Sequence, residues 1–329
     1  MEGLRDKNVL VTGGAGFIGA NLVSGLLSAG SNVIVLDNFE TGKRENLSEF
    51  LSSDRFKLIE GDITDPVVCQ EAVQGIDMVT HQAALGSVPR SIAYPHRTHD
   101  VNGTGFLNML HAAKEAGIKR FVYASSSSVY GDSLVSPKTV GSEGNLLSPY
   151  AVTKKLNEQY AAVYNRLHGM QTIGLRYFNV FGPKQDPHGV YAAAIPKFID
   201  AMLNGGKITI HGDGSQTRDF TYVDNAVKAN LLSLSTDNNN AFGNVFNVAC
   251  GVYYSLNQVV DVIRNELSQM GRLSDDLILE YGPERPGDIK DSLSDISRTT
   301  ELLGYQEPVY FKDGMKKYLQ SNFAQETQK

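Results

Sequence analysis

The apolar positions of the chain fall into two alternating rhythms. Short, nearly continuous β-branched runs recur as "NVLVTG" from Asn8, "NVIVLDN" from Asn32, "FKLIEGDI" from Phe56, "IDMVTHQAA" from Ile76, "RFVYASSS" from Arg120 and "TIGLRYFNVFG" from Thr172. These read as six strands. Between most of them the apolar residues take helical spacing: "GFIGANLVSGLLSAG" ends at Gly30, one segment spans roughly Thr104 to Ala116, and another Tyr150 to His168. Strands apolar on both faces, alternating with helices, predict βαβ units. The expected fold is therefore α/β, a doubly wound parallel sheet of the Rossmann type over residues 1–179.

After Gly182 the rhythm changes. "PKQDPHG" is a polar, proline-bearing loop, "AIPKFIDAMLNGG" a short helix and "ITIHGDG" a short strand. "YVDNAVKANLLSLS" is helical and "NVFNVACG" strand-like; beyond Ser255 a helix, a loop and a terminal helix near "FKDGMKKYLQ" follow. This predicts a smaller α+β lobe over 180–329, with the chain returning to the sheet near 219–250. "TDNNNAFGN" reads as a surface turn, and no internal repeat is present.

Composition narrows the class. The 329 residues suit one large α/β unit with an appended lobe. No window of about 18 uncharged apolar residues occurs, so no membrane partner is expected. The opening "MEGLRDKNVLVTGG" lacks the order of a signal peptide. Cys69 and Cys250 lie far apart without metal-type spacing, as expected of buried thiols in a reduced, cytoplasmic protein. A net charge of −6 without a basic run argues against nucleic acid. HEXXH-type and paired-Cys spacings are absent, so no metal is expected, and His81 reads as a packed residue.

Chemistry first shows at the strand ends. "VLVTGGAGFIG" sets Gly13, Gly16 and Gly19 between the first strand and the first helix. Such a turn lets backbone approach a pyrophosphate, and the helix N-terminus offers free N–H groups to it. Asp37 ends the second strand within about 20 residues of the loop, where a carboxylate accepts from ribose hydroxyls and repels a 2′-phosphate. The cofactor expected is therefore NAD rather than NADP. Asp62 in "GDI" ends the third strand, facing an adenine edge or forming a simple turn. Gln82 to Ala84 end the fourth with small residues. "ASSSSVYG" closes the fifth with hydroxyls suited to a sugar, or to an ordinary polar turn. Tyr150 and Lys154 stand four apart on one helix face. Alone they read as a partly buried Tyr beside a solvated Lys.

Taken together, "TGGAGFIG", "DNF", "GDI", "QAA", "VNGTGFLNML", "SSSSVYG", "YAVTK", "LRYFNVFGP", "TRDFTYVDN", "NVACG" and "RPGD" resemble the extended short-chain dehydrogenases/reductases, specifically the nucleotide-sugar 4-epimerases. The resemblance covers nearly the whole chain. "QAALGSVPRS" most resembles the UDP-N-acetylglucosamine 4-epimerases of bacterial surface-polysaccharide pathways. It implies catalysis by Ser126, Tyr150 and Lys154. A cation beside Tyr150, with the nicotinamide near, is expected to draw the phenol towards working pH. The resemblance implies NAD contacts from Gly13, Gly16, Phe17, Ile18, Gly19, Asp37, Asn38, Thr41, Gly42, Asp62, Ile63, Gln82, Ala83, Ala84, Asn102, Tyr150, Lys154 and Tyr177. It implies UDP-sugar contacts in the lobe and around it from Gly86, Ser87, Ser126, Ser127, Ser128, Asn179, Lys197, Arg218, Arg285, Asp288 and Ser292. Ser292 matches the position facing the C2 substituent of the sugar. A homodimer is implied through helices near Asn102–Ala116 and Tyr150–His168.

Rivals remain. A 4,6-dehydratase of the same fold carries an acid pair where this chain has Ser127 and Ser128, and hydroxyls have the wrong pKa for losing water. A UDP-glucuronate 4-epimerase or decarboxylase must accept a C6 carboxylate, which Arg90 could reach. A non-catalytic NAD-binding protein is the reading from a different class.

Overall fold

The computed structural model describes residues 2–189, 192–283 and 291–326. Seven parallel strands form its centre: β1 (Asn8–Thr12), β2 (Asn32–Asp37), β3 (Phe56–Glu60), β4 (Met78–His81), β5 (Arg120–Ser126), β6 (Gln171–Tyr177) and β7 (Asn244–Val248). Their order is β7-β6-β5-β4-β1-β2-β3. Alternate residues of each strand face opposite layers. Val9 and Val11 join a core with Leu22, Val23 and Leu26 of α1 (Phe17–Ser28). Leu10 between them joins Phe106, Met109 and Leu110 of α2 (Phe106–Glu115) on the other face. α3 (Pro149–His168) lies on that second face, and α4 (Val223–Ser235) packs with α1 on the first. No helix is long and apolar enough to cross a membrane among the described residues.

α3 is fixed at both ends. The Ser148 hydroxyl accepts from the Ala151 N–H at 3.1 Å, Pro149 opens the first turn, and Gly169 at φ 65° closes the last. α2 is preceded by a π-helical turn over Asp100–Gly105, of which the predicted helix from Thr104 takes in only the last two residues.

The expected sixth strand is interrupted. Asn179 takes φ 37°, and Val180–Phe181 turns away to pair with Thr221–Tyr222. The run at "NVFNVACG" becomes β7, hydrogen-bonded beside β6. The remainder has its own core around Phe198, Ile199, Ile263 and Phe311. The short strand expected at "ITIHGDG" is present as Gly206–His211, and it pairs with Leu277–Gly282, a strand that the helix–loop–helix expectation beyond Ser255 lacks. Thr217–Asp219, also not expected as a strand, lies between Tyr253–Ser255 and Asp291–Ser292.

Candidate active site

Because the sheet is parallel, every strand delivers its C-terminal residue to one edge, where ligands bind in doubly wound folds. The ends of β1 to β4 form a groove. Gly13, Gly16, Asp37, Asn38, Thr41, Gly42, Asp62, Ile63, Gln82, Ala83 and Ala84 all line it. The glycines are sterically required: a Cβ on Gly13 (φ 69°) would stand 2.6 Å from the Ala83 nitrogen, and one on Gly19 2.1 Å from the Gly13 carbonyl oxygen. Asp37 is 8% exposed and accepts the N–H groups of Ala15 and Phe39, each at 2.8 Å. Burial raises its pKa against those two bonds. Asp62 accepts from Asn38 at 2.9 Å and pairs with Arg97 at 3.2 Å. The groove thus offers a glycine cradle and a desolvated carboxylate, which fits a dinucleotide with free ribose hydroxyls.

Several expected cofactor residues do not line that groove but shape it. Asn102 is fully buried and clamps Leu85, accepting its N–H at 2.7 Å and donating to its carbonyl at 3.1 Å. The Tyr177 hydroxyl donates to Gln82 at 3.0 Å and accepts from Asn230 at 2.7 Å. Phe17, Ile18 and Gly19 form the start of α1.

The ends of β5 and β6 open into a cavity of about 400 Å³. Ser87, Ser126, Ser127, Ser128, Tyr150, Asn179, Arg218 and Ser292 line it together. Residues separated by 166 positions, Ser126 and Ser292, therefore face one space. The short pairing of Asp291–Ser292 with Thr217–Arg218 makes this possible. Ser128 Oγ is buried without a hydrogen-bond partner among the described residues. Gly86 and Lys197 are exposed and do not line the cavity; Arg90 does not line it either. Arg285 and Asp288 lie outside the described residues.

Tyr150 and Ser126 face the same cavity. The Lys154 ammonium lies 5.8 Å from the Tyr150 ring centroid and donates to the Ala124 carbonyl at 2.9 Å. Burial pushes the Tyr150 phenol up, and the neighbouring Ser126 hydroxyl opposes this only in part. Lys154 itself is lowered to about 8 by burial, with Glu158 pulling the other way.

Glu158 belongs to a buried charge chain that sequence reading missed, though its position four residues after Lys154 was a visible signal. It accepts from Arg176 Nε and Nη2 at 2.8 Å each and from Ser125 Oγ at 2.7 Å. Arg176 continues to Glu143 at 2.5 Å. The other missed residues lining the cavity are Val88, Tyr130, Gly131, Lys138, Leu147 and Ser148. His81 is packed as expected, between Phe106 and Phe121, with its pKa driven to about 3 by burial. Cys69 and Cys250 are buried and free. The described residues hold no metal-binding cluster.

Comparison with known proteins places this geometry in context. The model of the NAD dependent epimerase/dehydratase family matches residues 9–249. A putative UDP-glucose 4-epimerase of Methanocaldococcus jannaschii is 36% identical over 313 residues, 94% of this chain and 96% of its own. The solved UDP-N-acetylglucosamine 4-epimerase of Methanobrevibacter ruminantium M1, in complex with UDP-N-acetylmuramic acid, is 38% identical with a TM-score of 0.89, covering 98% of this chain and 99% of that one. The UDP-glucuronic acid 4-epimerase of Bacillus cereus, solved with UDP-glucuronic acid and NAD, is 30% identical with a TM-score of 0.86, covering 97% and 99%.

The charge chain yields a stability test. Glu158→Gln leaves the Arg176 side chain, 1% exposed, with only Glu143 as a full charge partner. Removing one member of a buried pair costs about 3–5 kcal/mol, and the retained amide oxygen puts this variant near the lower end. Urea unfolding of wild type and variant measures it; a loss below about 1 kcal/mol contradicts the role given to the pair.

Proposed function

The chain belongs to the NAD dependent epimerase/dehydratase family, and on that premise we propose that it is a UDP-sugar 4-epimerase interconverting UDP-N-acetylglucosamine and UDP-N-acetylgalactosamine, with UDP-glucose and UDP-galactose as further substrates. The observation that carries the reading is that Ser126, Tyr150 and Ser292 line one cavity. A proton-transfer pair thus shares a space with a small residue. The 4-epimerase relatives support the reaction class. The complexes with UDP-N-acetylmuramic acid and UDP-glucuronic acid support a cavity able to admit a substituted sugar.

NAD, when bound, supplies a reversible two-electron acceptor for the sugar carbon that is oxidised and then reduced. Gly13 and Gly16 hold its pyrophosphate, Asp37 its adenosine ribose, and Lys154 its nicotinamide ribose. Tyr150 takes the proton of the C4 hydroxyl and returns it. Ser126, which faces the same cavity as the phenol, orients that transfer. Since burial opposes the phenolate, Tyr150 requires positive charge nearby, and the Lys154 ammonium is the resident source. Asn179 and Arg218, with Arg285 and Asp288 outside the described residues, are assigned to the nucleotide, and Ser87, Ser127 and Ser128 to the hexose; the expected Gly86 and Lys197, which do not line the cavity, are given no role. Guanidinium suits diphosphate. The sheet unit, 1–179 with a return near 219–250, is assigned to NAD and the lobe, 180–329, to the UDP-sugar. The cytoplasm is the assigned compartment. We assign a homodimer to the outer faces of α2 and α3, where His111 meets Tyr164 at 3.2 Å and Val152 and Leu167 are exposed.

NMR of products after separate incubation with UDP-GlcNAc, UDP-Glc and UDP-GlcA tests the assignment. Epimerisation at C4 of the first two is expected; turnover of UDP-GlcA alone overturns it. Tyr150→Phe should lower turnover on the order of 10²–10⁴-fold while UDP-sugar affinity is kept; a folded variant of near-normal rate removes the phenol from the mechanism. Ser292→Tyr should shift kcat/KM against the N-acetylated pair by roughly 5- to 150-fold relative to the plain pair, through steric overlap. An unchanged ratio means that Ser292 is not the gate.

A further inference from the structure

The cavity described above holds a cation that the proposed reaction leaves without a task. Lys138 lines it and is 4% exposed. Its ammonium donates to the Ser133 carbonyl. An ammonium has three donors, and a buried charge is costly unless paired with an opposite one. Burial lowers its pKa accordingly.

The described acids around it are engaged elsewhere. Asp132 takes the backbone and side-chain N–H groups of Asn145 at 2.7 and 3.0 Å. Glu143 pairs with Arg176 and Lys155. Asp295 caps Ser297 at 2.8 Å, and Asp219 accepts from Cys250 and Gly251 at 3.0 and 2.9 Å. Among the described residues lining the cavity there are two cations, Lys138 and Arg218, and no carboxylate. Arg218 sits on the strand paired with Asp291–Ser292. The Lys138 ammonium is instead anchored at Ser133, on the segment leading from Ser126. Lys138 is also fixed from the other side. Its own N–H donates to the Leu293 carbonyl at 2.8 Å, one residue beyond Ser292. Lys138 thus lies between the segment that follows Ser126 and the segment that follows Ser292, on the cavity that Tyr150 also lines.

We infer that Lys138 is a specificity residue for a carboxylate carried on the sugar ring, so that the cavity takes acidic UDP-sugars as well as neutral ones. This rests on the reading of the cavity as a UDP-sugar site. It replaces Arg90, the carboxylate partner expected from sequence, which does not line the cavity.

The test is calorimetric, so it does not depend on turnover. The NAD-loaded protein is titrated with UDP, UDP-GlcNAc, UDP-glucuronate and UDP-N-acetylmuramate, in wild type, Lys138→Gln and Lys138→Arg. The two acidic ligands distinguish a carboxylate at C6 from one on a C3 ether. At least one should bind wild type no more weakly than UDP-GlcNAc. Lys138→Gln should weaken that ligand roughly 10- to 100-fold more than it weakens UDP-GlcNAc or UDP, the range for one charged hydrogen bond. Lys138→Arg should restore most of the difference. Equal losses for all four ligands would make Lys138 a diphosphate or structural residue and overturn the inference. So would wild type binding both acids more than about tenfold more weakly than UDP-GlcNAc, a result that stands even if Lys138→Gln fails to fold. Binding without any epimerised product would instead fault the proposed reaction and leave the carboxylate site intact.

Discussion

Glu158 is 5% exposed, and burying a carboxylate costs several kcal/mol unless its oxygens are satisfied by charged or polar partners. Here they are: Ser125 at the end of β5, Arg176 in β6, and Lys155 at 3.3 Å in its own helix. No slippage of α3 along the sheet could keep all of these bonds. The carboxylate therefore sets the register of the helix on the two strands that open the cavity. Lys154 lies one turn before it and Tyr150 two turns before, so both are aligned over the end of β5 by the same constraint. Electrostatics follow from the same placement. The negative charge of Glu158 opposes the loss of the Lys154 proton that burial promotes, and the ammonium stays close to its cationic form near neutrality.

What was legible in the sequence is what is local. Strand and helix rhythms depend on neighbours a few residues apart. The glycine turn depends on positive φ and on close approach to the fourth strand, and Asp37 needs only to end the second. The contacts that close the cavity are of another kind. Ser292 meets Arg218 through a two-residue strand pairing across 74 positions, which leaves no periodic trace. Lys138 stands in an unpatterned loop and is buried where its backbone meets Leu293, Asp295 and Asn247, all more than 100 positions away. The break after β6 is intermediate: "TIGLRYFNVFG" reads as one strand, and only the left-handed Asn179 divides it. The strand at Leu277–Gly282 alternates weakly and is half-exposed, so it resembled a loop.

The two ligand-sized spaces at the sheet edge have opposite electrical character. The groove is lined by Asp37, Glu40 and Asp62 and by exposed backbone of the glycine turn. Such a lining suits hydroxyl donors through carboxylates and a pyrophosphate through N–H groups, and no lysine or arginine is among the described residues that line it. The cavity is lined by hydroxyls, an amide, a guanidinium and an ammonium. It favours anionic groups directly and offers neutral sugar hydroxyls many neutral partners. The division lets one chain of net charge −6 hold two anionic ligands side by side.

Rigidity in the cavity wall comes from strained backbone held by its neighbours. Ser87 at φ 103° and Asn179 at φ 37° are not glycines, and such conformations cost of order 1–3 kcal/mol each. Each is over-determined. The Ser87 hydroxyl accepts the Arg90 N–H at 3.2 Å, and the Asn179 amide donates to the Asp219 carbonyl at 2.9 Å. Asp219 in turn is buried and raised to about 7, with the backbone N–H groups of Cys250, Gly251 and Ser294 turned onto its carboxylate. A single carboxylate therefore ties the loop after β7 to the strand that carries Arg218 and to the segment just after Ser292. The wall is rigid where it is strained and tied. The hydroxyls of Ser127 and Ser128 face the interior with few fixed partners. A ring that must present both of its faces to the same reacting atoms needs that combination: a fixed frame for the nucleotide, and a lining that can exchange one hydrogen-bond partner for another as the sugar turns.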